Sequence, residues 1–216
     1  MPDRNQTPRP VFVVLEGIDG SGTTTQLPRL VAHLTARGRS AVATREPSTG
    51  PVGQLLRQLL AGQHRAPDGA AVDGRAMALL FAADRRDHLC REIEPALAAG
   101  SDVVSDRYLL SSLAYQAEEA DRDWVAGLAR GVRRPDLTLL LDVPVPVAAA
   151  RRRGAGRATE RYDADAVQDR VAGHYRRLAA ADPDGVRVLD GSGSIDQVAA
   201  AVARAVDEVL QATGVS

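Results

Sequence analysis

The stretch that constrains this chain most is residues 11–26, VFVVLEGIDGSGTTTQ. Residues 11–15 are a short, unbroken apolar run rich in β-branched side chains, the pattern of a strand buried on both faces of a parallel sheet. The run closes on Glu16, and Gly17, Gly20 and Gly22 follow within six positions. Apolar residues at Leu27, Leu30, Val31 and Leu34 then carry helical spacing. Strand, glycine loop and helix in that order describe a phosphate-binding P-loop, in which backbone N–H groups wrap an oxyanion and the helix N-terminus adds partial positive charge. The pattern G-x-x-x-x-G-K-[ST] is met by Gly17, Ile18, Asp19, Gly20, Ser21, Gly22, Thr23 and Thr24 everywhere except at the lysine, which is Thr23. A glycine-rich strand–helix turn without a ligand is the plainer alternative.

The missing lysine matters because the chain contains no lysine at all; its 27 positive side chains are all arginines. Any replacement cation must therefore be an arginine, a metal ion or a helix terminus, and the planar arginine fork suits bidentate phosphate contacts. A bias against lysine throughout is a competing account, although it would more naturally leave arginine than threonine at position 23. The formal net charge of −1 points away from nucleic acid or an acidic membrane surface as the main partner. Cys90 is the only cysteine, which excludes an internal disulfide and a cysteine-based zinc site. No apolar run approaches the ~20 residues needed to cross a bilayer. Residues 1–10 are polar and proline-rich, without the apolar stretch of a signal peptide. The expectation is a soluble, cytoplasmic protein with a disordered tail over residues 1–10 and a single domain over 11–213.

Further strand patterns at 41–44, 102–105, 137–143 and 186–189 alternate with helical patterns, including a long one over 72–99 that should bend before Pro95. Such alternation predicts an α/β fold, a five-stranded parallel sheet with helices on both faces. Ligands in these sheets bind at the carboxyl ends of the strands, where Arg45, Asp106, Arg107 and Asp142 fall. Asp106 and the Thr24 hydroxyl could together hold Mg²⁺; the alternative is that Asp106 caps the helix after it. Arg45, Arg85 and Arg107 lie in or beside this edge. An enzyme transferring phosphate to a phosphorylated acceptor must bind two polyanions and suppress their repulsion, which arginines aimed at both would do, whereas each taken singly could be a solvated surface charge. Residues 151–161 hold five arginines and two glycines between two helices, either a solvated loop or a mobile lid that closes over phosphates. Phe81 suits base stacking and core packing equally.

Taken together, these segments resemble thymidylate kinases, the P-loop nucleotide kinases that make dTDP from dTMP and ATP. The likeness runs through FVVLEGIDGSGTTTQ, TREP at 44–47, LLFAADR at 79–85, SDRYLLSSLAYQ at 105–116, RPDLTLLLDVP at 134–144, the arginine-rich segment and LDGSGSIDQV near the end. The resemblance implies a P-loop NTPase fold with a short lid over about 151–161, Mg²⁺ as cofactor, ATP and dTMP as substrates, and a homodimer. It implies that Gly17 to Thr24 hold the ATP phosphates and that Asp19 faces the acceptor's 3′-hydroxyl and the metal's water shell. Arg45, Arg85 and Arg107 would bind the dTMP phosphate and base region, with Phe81 stacked on thymine. Ser112 and Tyr115 would lie near the base and sugar, the tyrosine excluding a 2′-hydroxyl. With Gly20 and Ser21 in the loop, the chain looks like the subclass whose catalytic arginine sits on the lid, so Arg153, Arg157 and Arg161 are candidates beside Asp19 and Arg107. Thr23 departs from the family, and removing one preorganised charge commonly costs ~10²–10³ in kcat. A kinase of another monophosphate and a catalytically weak nucleotide-binding protein are the alternatives.

Overall fold

Five strands, β1 (Phe12–Glu16), β2 (Ala41–Arg45), β3 (Asp102–Asp106), β4 (Leu137–Asp142) and β5 (Val186–Asp190), form one parallel sheet in the order β2-β3-β1-β4-β5. The structure, a computed structural model, describes residues 9–65, 67–154, 156 and 160–212. Strand β1 is buried at all five positions, as its unbroken apolar run demands of a central strand. Its register brings the carboxyl edge level: Leu15 pairs with Asp106 on one side and Leu139 on the other, and Arg45 pairs with Asp106. The chain order reverses across β1, so the crevice beyond its carboxyl end is the switch point where doubly wound sheets bind ligands.

Among the described residues the helices are α1 (Thr23–Ala36), α2 (Pro51–Leu60), α3 (Gly74–His88), α4 (Glu94–Ala98), α5 (Leu109–Tyr115), α6 (Arg122–Leu128), α7 (Val145–Gly154), α8 (Asp165–Ala181) and α9 (Ile195–Ala212). The long helix expected over 72–99 is α3 and α4 joined by a π-helical turn, Leu89–Ile93. The break falls just before Pro95, which lacks an N–H and is tolerated in the first turn of α4.

Alternation along β1 divides the core. Val13 and Leu15 pack with Leu30 and Leu34 of α1 and with Val202 and Val206 of α9. Phe12 and Val14 pack on the other face with Leu89, Ile93 and Tyr108. A third cluster joins Leu140 of β4 to Ala148 of α7 and to Val171 and Tyr175 of α8. Burying each such Leu or Val contributes ~1.5–3 kcal/mol, which locks α1, α7 and α8 around the end of β1.

Of the tail expected over 1–10, residues 1–8 lie outside the described residues; Arg9 pairs with Asp136 at 2.8 Å. Arg157 also lies outside them. No helix among the described residues is long and apolar enough to cross a membrane.

Candidate active site

The loop from Gly17 to Gly22 leaves β1 and enters α1 through Gly22, whose φ of +103° a side chain would strain. At Gly20, φ +89°, an added Cβ would stand 2.4 Å from the Ala148 carbonyl oxygen. Only glycine lets α7 press this closely against the loop. Two cations ride in on that helix. Arg152 Nη1 donates to the Asp19 carbonyl at 2.7 Å, and its Nη2 pairs with Asp165 at 2.8 Å. Arg151 donates to the carbonyls of Ser21 (3.3 Å) and Gly191 (3.0 Å) and to those of Ser192 and Gly193. Among the described residues Arg151 has no carboxylate in ion-pair contact. A cleft of about 500 Å³ lies between the loop, these arginines and the segment after β5.

Of the arginines named from the sequence for this role, the two among the described residues, Arg153 and Arg161, do not line that cleft. Arg153 is exposed at the end of α7. Arg161 pairs with Glu119 at 2.9 Å, its guanidinium 5.9 Å from the Tyr162 ring centroid, and it borders a different cavity together with Leu60 and Arg65. Helical phase explains the difference. Val145, Ala148 and Ala149 are the buried residues of α7, and positions three and four after Ala148 share its face. Those positions are Arg151 and Arg152, and the close approach of Ala148 to Gly20 turns that face to the loop.

On the other side of the loop stands Arg107, the one non-glycine residue with positive φ (+72°) among the described residues. Its guanidinium pairs with Asp19 at 2.7 Å, donates to the hydroxyls of Ser111 (3.3 Å) and Tyr175 (3.4 Å), and lies 5.1 Å from the Tyr115 ring centroid. Asp19 is held from behind by Gln168 of α8, which donates to its carboxylate at 3.0 Å and accepts from its backbone N–H at 3.1 Å. The Thr24 hydroxyl donates to Asp106 Oδ2 at 2.6 Å. Asp106 Oδ1 is buried without a hydrogen-bond partner among the described residues, a coordination position left over. No cluster of three or more His, Cys, Asp or Glu able to hold a metal occurs among the described residues. A hydroxyl and one carboxylate suit Mg²⁺, which keeps waters and takes its other ligands from phosphates.

A second cavity, of about 250 Å³, opens beyond Arg107 and is lined by Arg45, Phe81, Arg85, Ser112, Tyr115 and Tyr162 among others. Arg85 is buried: it donates to Glu46 at 3.1 Å and to the Ser112 hydroxyl, and stacks 5.4 Å from the Tyr108 ring centroid. The Glu46–Pro47 peptide is cis. Phe81 is a half-buried wall residue here, and Arg45 sits exposed at the rim. The Tyr115 hydroxyl is buried without a partner among the described residues. Burial pushes its pKa up, and the nearby Arg107 only partly offsets this, so the phenol stays protonated. Tyr115 meets Tyr162 and Tyr175 edge-on at 5.5 and 6.2 Å. All four tyrosines of the chain, Tyr108, Tyr115, Tyr162 and Tyr175, thus gather at this site, a convergence that sequence reasoning missed for Tyr162 and Tyr175.

Three side chains, Asp19, Thr24 and Arg107, line both cavities. The site is therefore two chambers sharing one wall of carboxylate, hydroxyl and guanidinium.

The family model described as thymidylate kinase matches residues 15–202. A thymidylate kinase of Bifidobacterium longum is 43% identical over 206 residues, covering 92% of this chain and 98% of that protein. One from Rhizorhabdus wittichii is 43% identical over 210 residues, with the same coverage. A probable thymidylate kinase of Thermococcus gammatolerans is 41% identical over 191 residues, 87% of this chain and 91% of the relative.

Proposed function

The chain belongs to the thymidylate kinase family, and from that premise we propose that it phosphorylates dTMP to dTDP with ATP as donor, in dTTP biosynthesis. The observation that carries the reading is the wall shared by the two chambers: a donor over the glycine loop and an acceptor beside Tyr115 would meet at Asp19, Thr24 and Arg107. A phosphate oxygen of dTMP attacks the γ-phosphorus as the bond to the β-phosphate oxygen of ATP breaks, leaving ADP. Catalysis is then mostly positioning and charge stabilisation.

In this reading Gly17 to Thr24 cradle the donor phosphates. Arg45, Arg85 and Arg107 bind the acceptor, Phe81 stacks on its base, and Ser112 and Tyr115 face base and sugar. Asp19 orients the acceptor sugar and, through Arg107, its phosphate. Thr24 and the unpartnered oxygen of Asp106 would hold Mg²⁺, which when bound neutralises donor phosphate charge. The charge absent at Thr23 is supplied from α7, foremost by Arg151, because Arg152 is shared with Asp165; Arg157 stays a candidate from the lid. A homodimer belongs to the reading on family grounds, and light scattering after gel filtration measures it.

The deciding experiment is a product assay with ATP against a panel of nucleoside monophosphates. The expected result is dTDP formation with kcat/KM for dTMP above that for dCMP, dGMP and ribo-TMP. Equal values for dTMP and dCMP would end the assignment of the acceptor.

A further inference from the structure

Glu16, the last residue of β1, is wholly buried at the meeting point of the core clusters, yet none of the site roles above uses it. Every group bonded to its carboxylate is a donor. Oε1 accepts from the backbone N–H of Tyr108 at 3.0 Å and of Ser111 at 3.1 Å. Oε2 accepts from the Ser111 hydroxyl at 2.5 Å and the Tyr175 hydroxyl at 2.9 Å. An apolar side chain would fill this space with no desolvation cost, so a carboxylate here calls for a reason.

We propose that Glu16 is a positioning residue for the acceptor phosphate: it locks Arg107 in its left-handed backbone and turns the Ser111 and Tyr175 hydroxyls so that they accept from the Arg107 guanidinium. The inference rests on the reading of Arg107 as the acceptor-phosphate arginine. The Arg107 backbone is pinned at three points. Its N–H donates to the Leu15 carbonyl at 2.9 Å, its carbonyl accepts from the Ser105 hydroxyl at 2.7 Å, and the next N–H, of Tyr108, is taken by Glu16. A non-glycine residue stays at φ +72° only when its surroundings over-determine it. Two of the three pins come from β1, the strand that runs into the glycine loop. The acceptor arginine is thereby held in register with the donor site.

The side-chain part is a matter of hydroxyl polarity. Each hydroxyl has one proton. Ser111 and Tyr175 lie 2.8 Å apart and both reach Glu16 Oε2, so their protons are drawn toward the carboxylate, directly or one through the other. Their lone pairs are left facing Arg107 Nη1 at 3.3 and 3.4 Å. That orients the guanidinium with Nη2 toward Asp19 and the shared wall. Burial penalises the charged form of Glu16 and raises its pKa, while the bonds from Ser111 and the charge of Arg107 pull the other way. The site retains a costly group whose bonds all lead to Arg107.

The test is Glu16→Gln, which keeps the shape but turns an NH₂ group toward the donors. The expected result is a rise of at least about tenfold in KM for dTMP with KM for ATP within about twofold, and loss of the thermal shift given by dTMP but not of that given by ATP. Ser111→Ala, which keeps Glu16 and removes one oxygen beside Arg107, should show the same split more weakly and combine less than additively with Glu16→Gln. If Glu16→Gln does not fold, Ser111→Ala and Tyr175→Phe must each show the split. A lowered Tm with neither KM moved, or equal rises in both, overturns the proposal and leaves Glu16 as a packing residue. Wild-type protein that fails to turn over dTMP strikes the acceptor assignment instead. The thermal shift from whichever monophosphate of the panel binds then reads the role of Glu16 in the same variants.

Discussion

Arg151→Met removes the guanidinium that α7 holds against the glycine loop and keeps most of the apolar stem. Arg151 Nη1 stands 4.0 Å from where a Gly22 side chain would begin, so its charge faces the loop surface over which donor phosphates would lie. A unit charge about 4 Å from a phosphate charge is worth about 4 kcal/mol at an effective dielectric near 20. To make that contact Arg151 must loosen some of its bonds to the carbonyls of Ser21, Gly191, Ser192 and Gly193. Bonds from a charged donor contribute about 1.5–3 kcal/mol each, so a net loss of about 2.5 kcal/mol is a fair expectation, close to 10²-fold in kcat/KM for ATP. The assay is steady-state turnover with ATP varied at saturating dTMP, together with calorimetry of ADP and AMP. A phosphate role weakens ADP more than AMP; a role in holding the base weakens both alike. Thr23→Lys places an ammonium on the same cleft from the start of α1. It should recover at least tenfold in the Arg151→Met background and little in the wild type. An Arg151→Met enzyme within threefold of wild type, or strict additivity with no gain from Thr23→Lys, would refute the compensation argument.

Asp106→Asn should leave the circular dichroism spectrum unchanged, because the amide oxygen can still accept from Thr24, while turnover falls ~10²-fold or more and its Mg²⁺ midpoint rises; unchanged activity would make Asp106 a cap only. Tyr115→Phe deletes a buried hydroxyl without a partner, so Tm should hold or rise slightly while the kcat/KM ratio of dTMP over ribo-TMP falls, and a constant ratio would clear the hydroxyl of sugar selection. Because burial raises the folded-state pKa of Glu16 above its ordinary 4.5, its contribution to stability is full below that value and is lost as pH rises through the folded pKa. Denaturant midpoints from pH 4.5 upward should therefore show the wild type losing ground to Glu16→Gln, and the opposite trend would reverse the sign assigned to this group.

Much of the donor side was readable one residue at a time. The strand before the loop, the three glycines, Thr24 in the hydroxyl position and Asp106 at a strand end are local features, each determined by a few neighbours and by the alternation of strand with helix. The break before Pro95 was readable for the same reason, since a missing N–H acts where it stands; its form, a π-helical turn, was not. Arg45, Arg85 and Phe81 stood out from their places along the chain, Ser112 and Tyr115 from family likeness alone, and the fold gathers all five around one cavity.

The arginine-rich segment shows where local reading ends. Five arginines lie within residues 151–161, and composition does not say which of them turn inward. The choice is set by the azimuth of α7, fixed when Ala148 meets Gly20 and Val145, Ala148 and Ala149 are buried. Arg151 and Arg152 therefore face the loop, while Arg153 is exposed and Arg161 is held by Glu119. The supports of the site were further out of reach. Gln168, which holds Asp19, is 149 residues away along the chain, and Tyr175, which reaches Glu16, is 159 away. Nothing in either neighbourhood marks the pairing, because it arises only when α8 packs across the end of the sheet. A sequence specifies where strands and loops begin through short-range chemistry. Which side chains then meet depends on helix azimuth and sheet register, which the packing of the whole core decides.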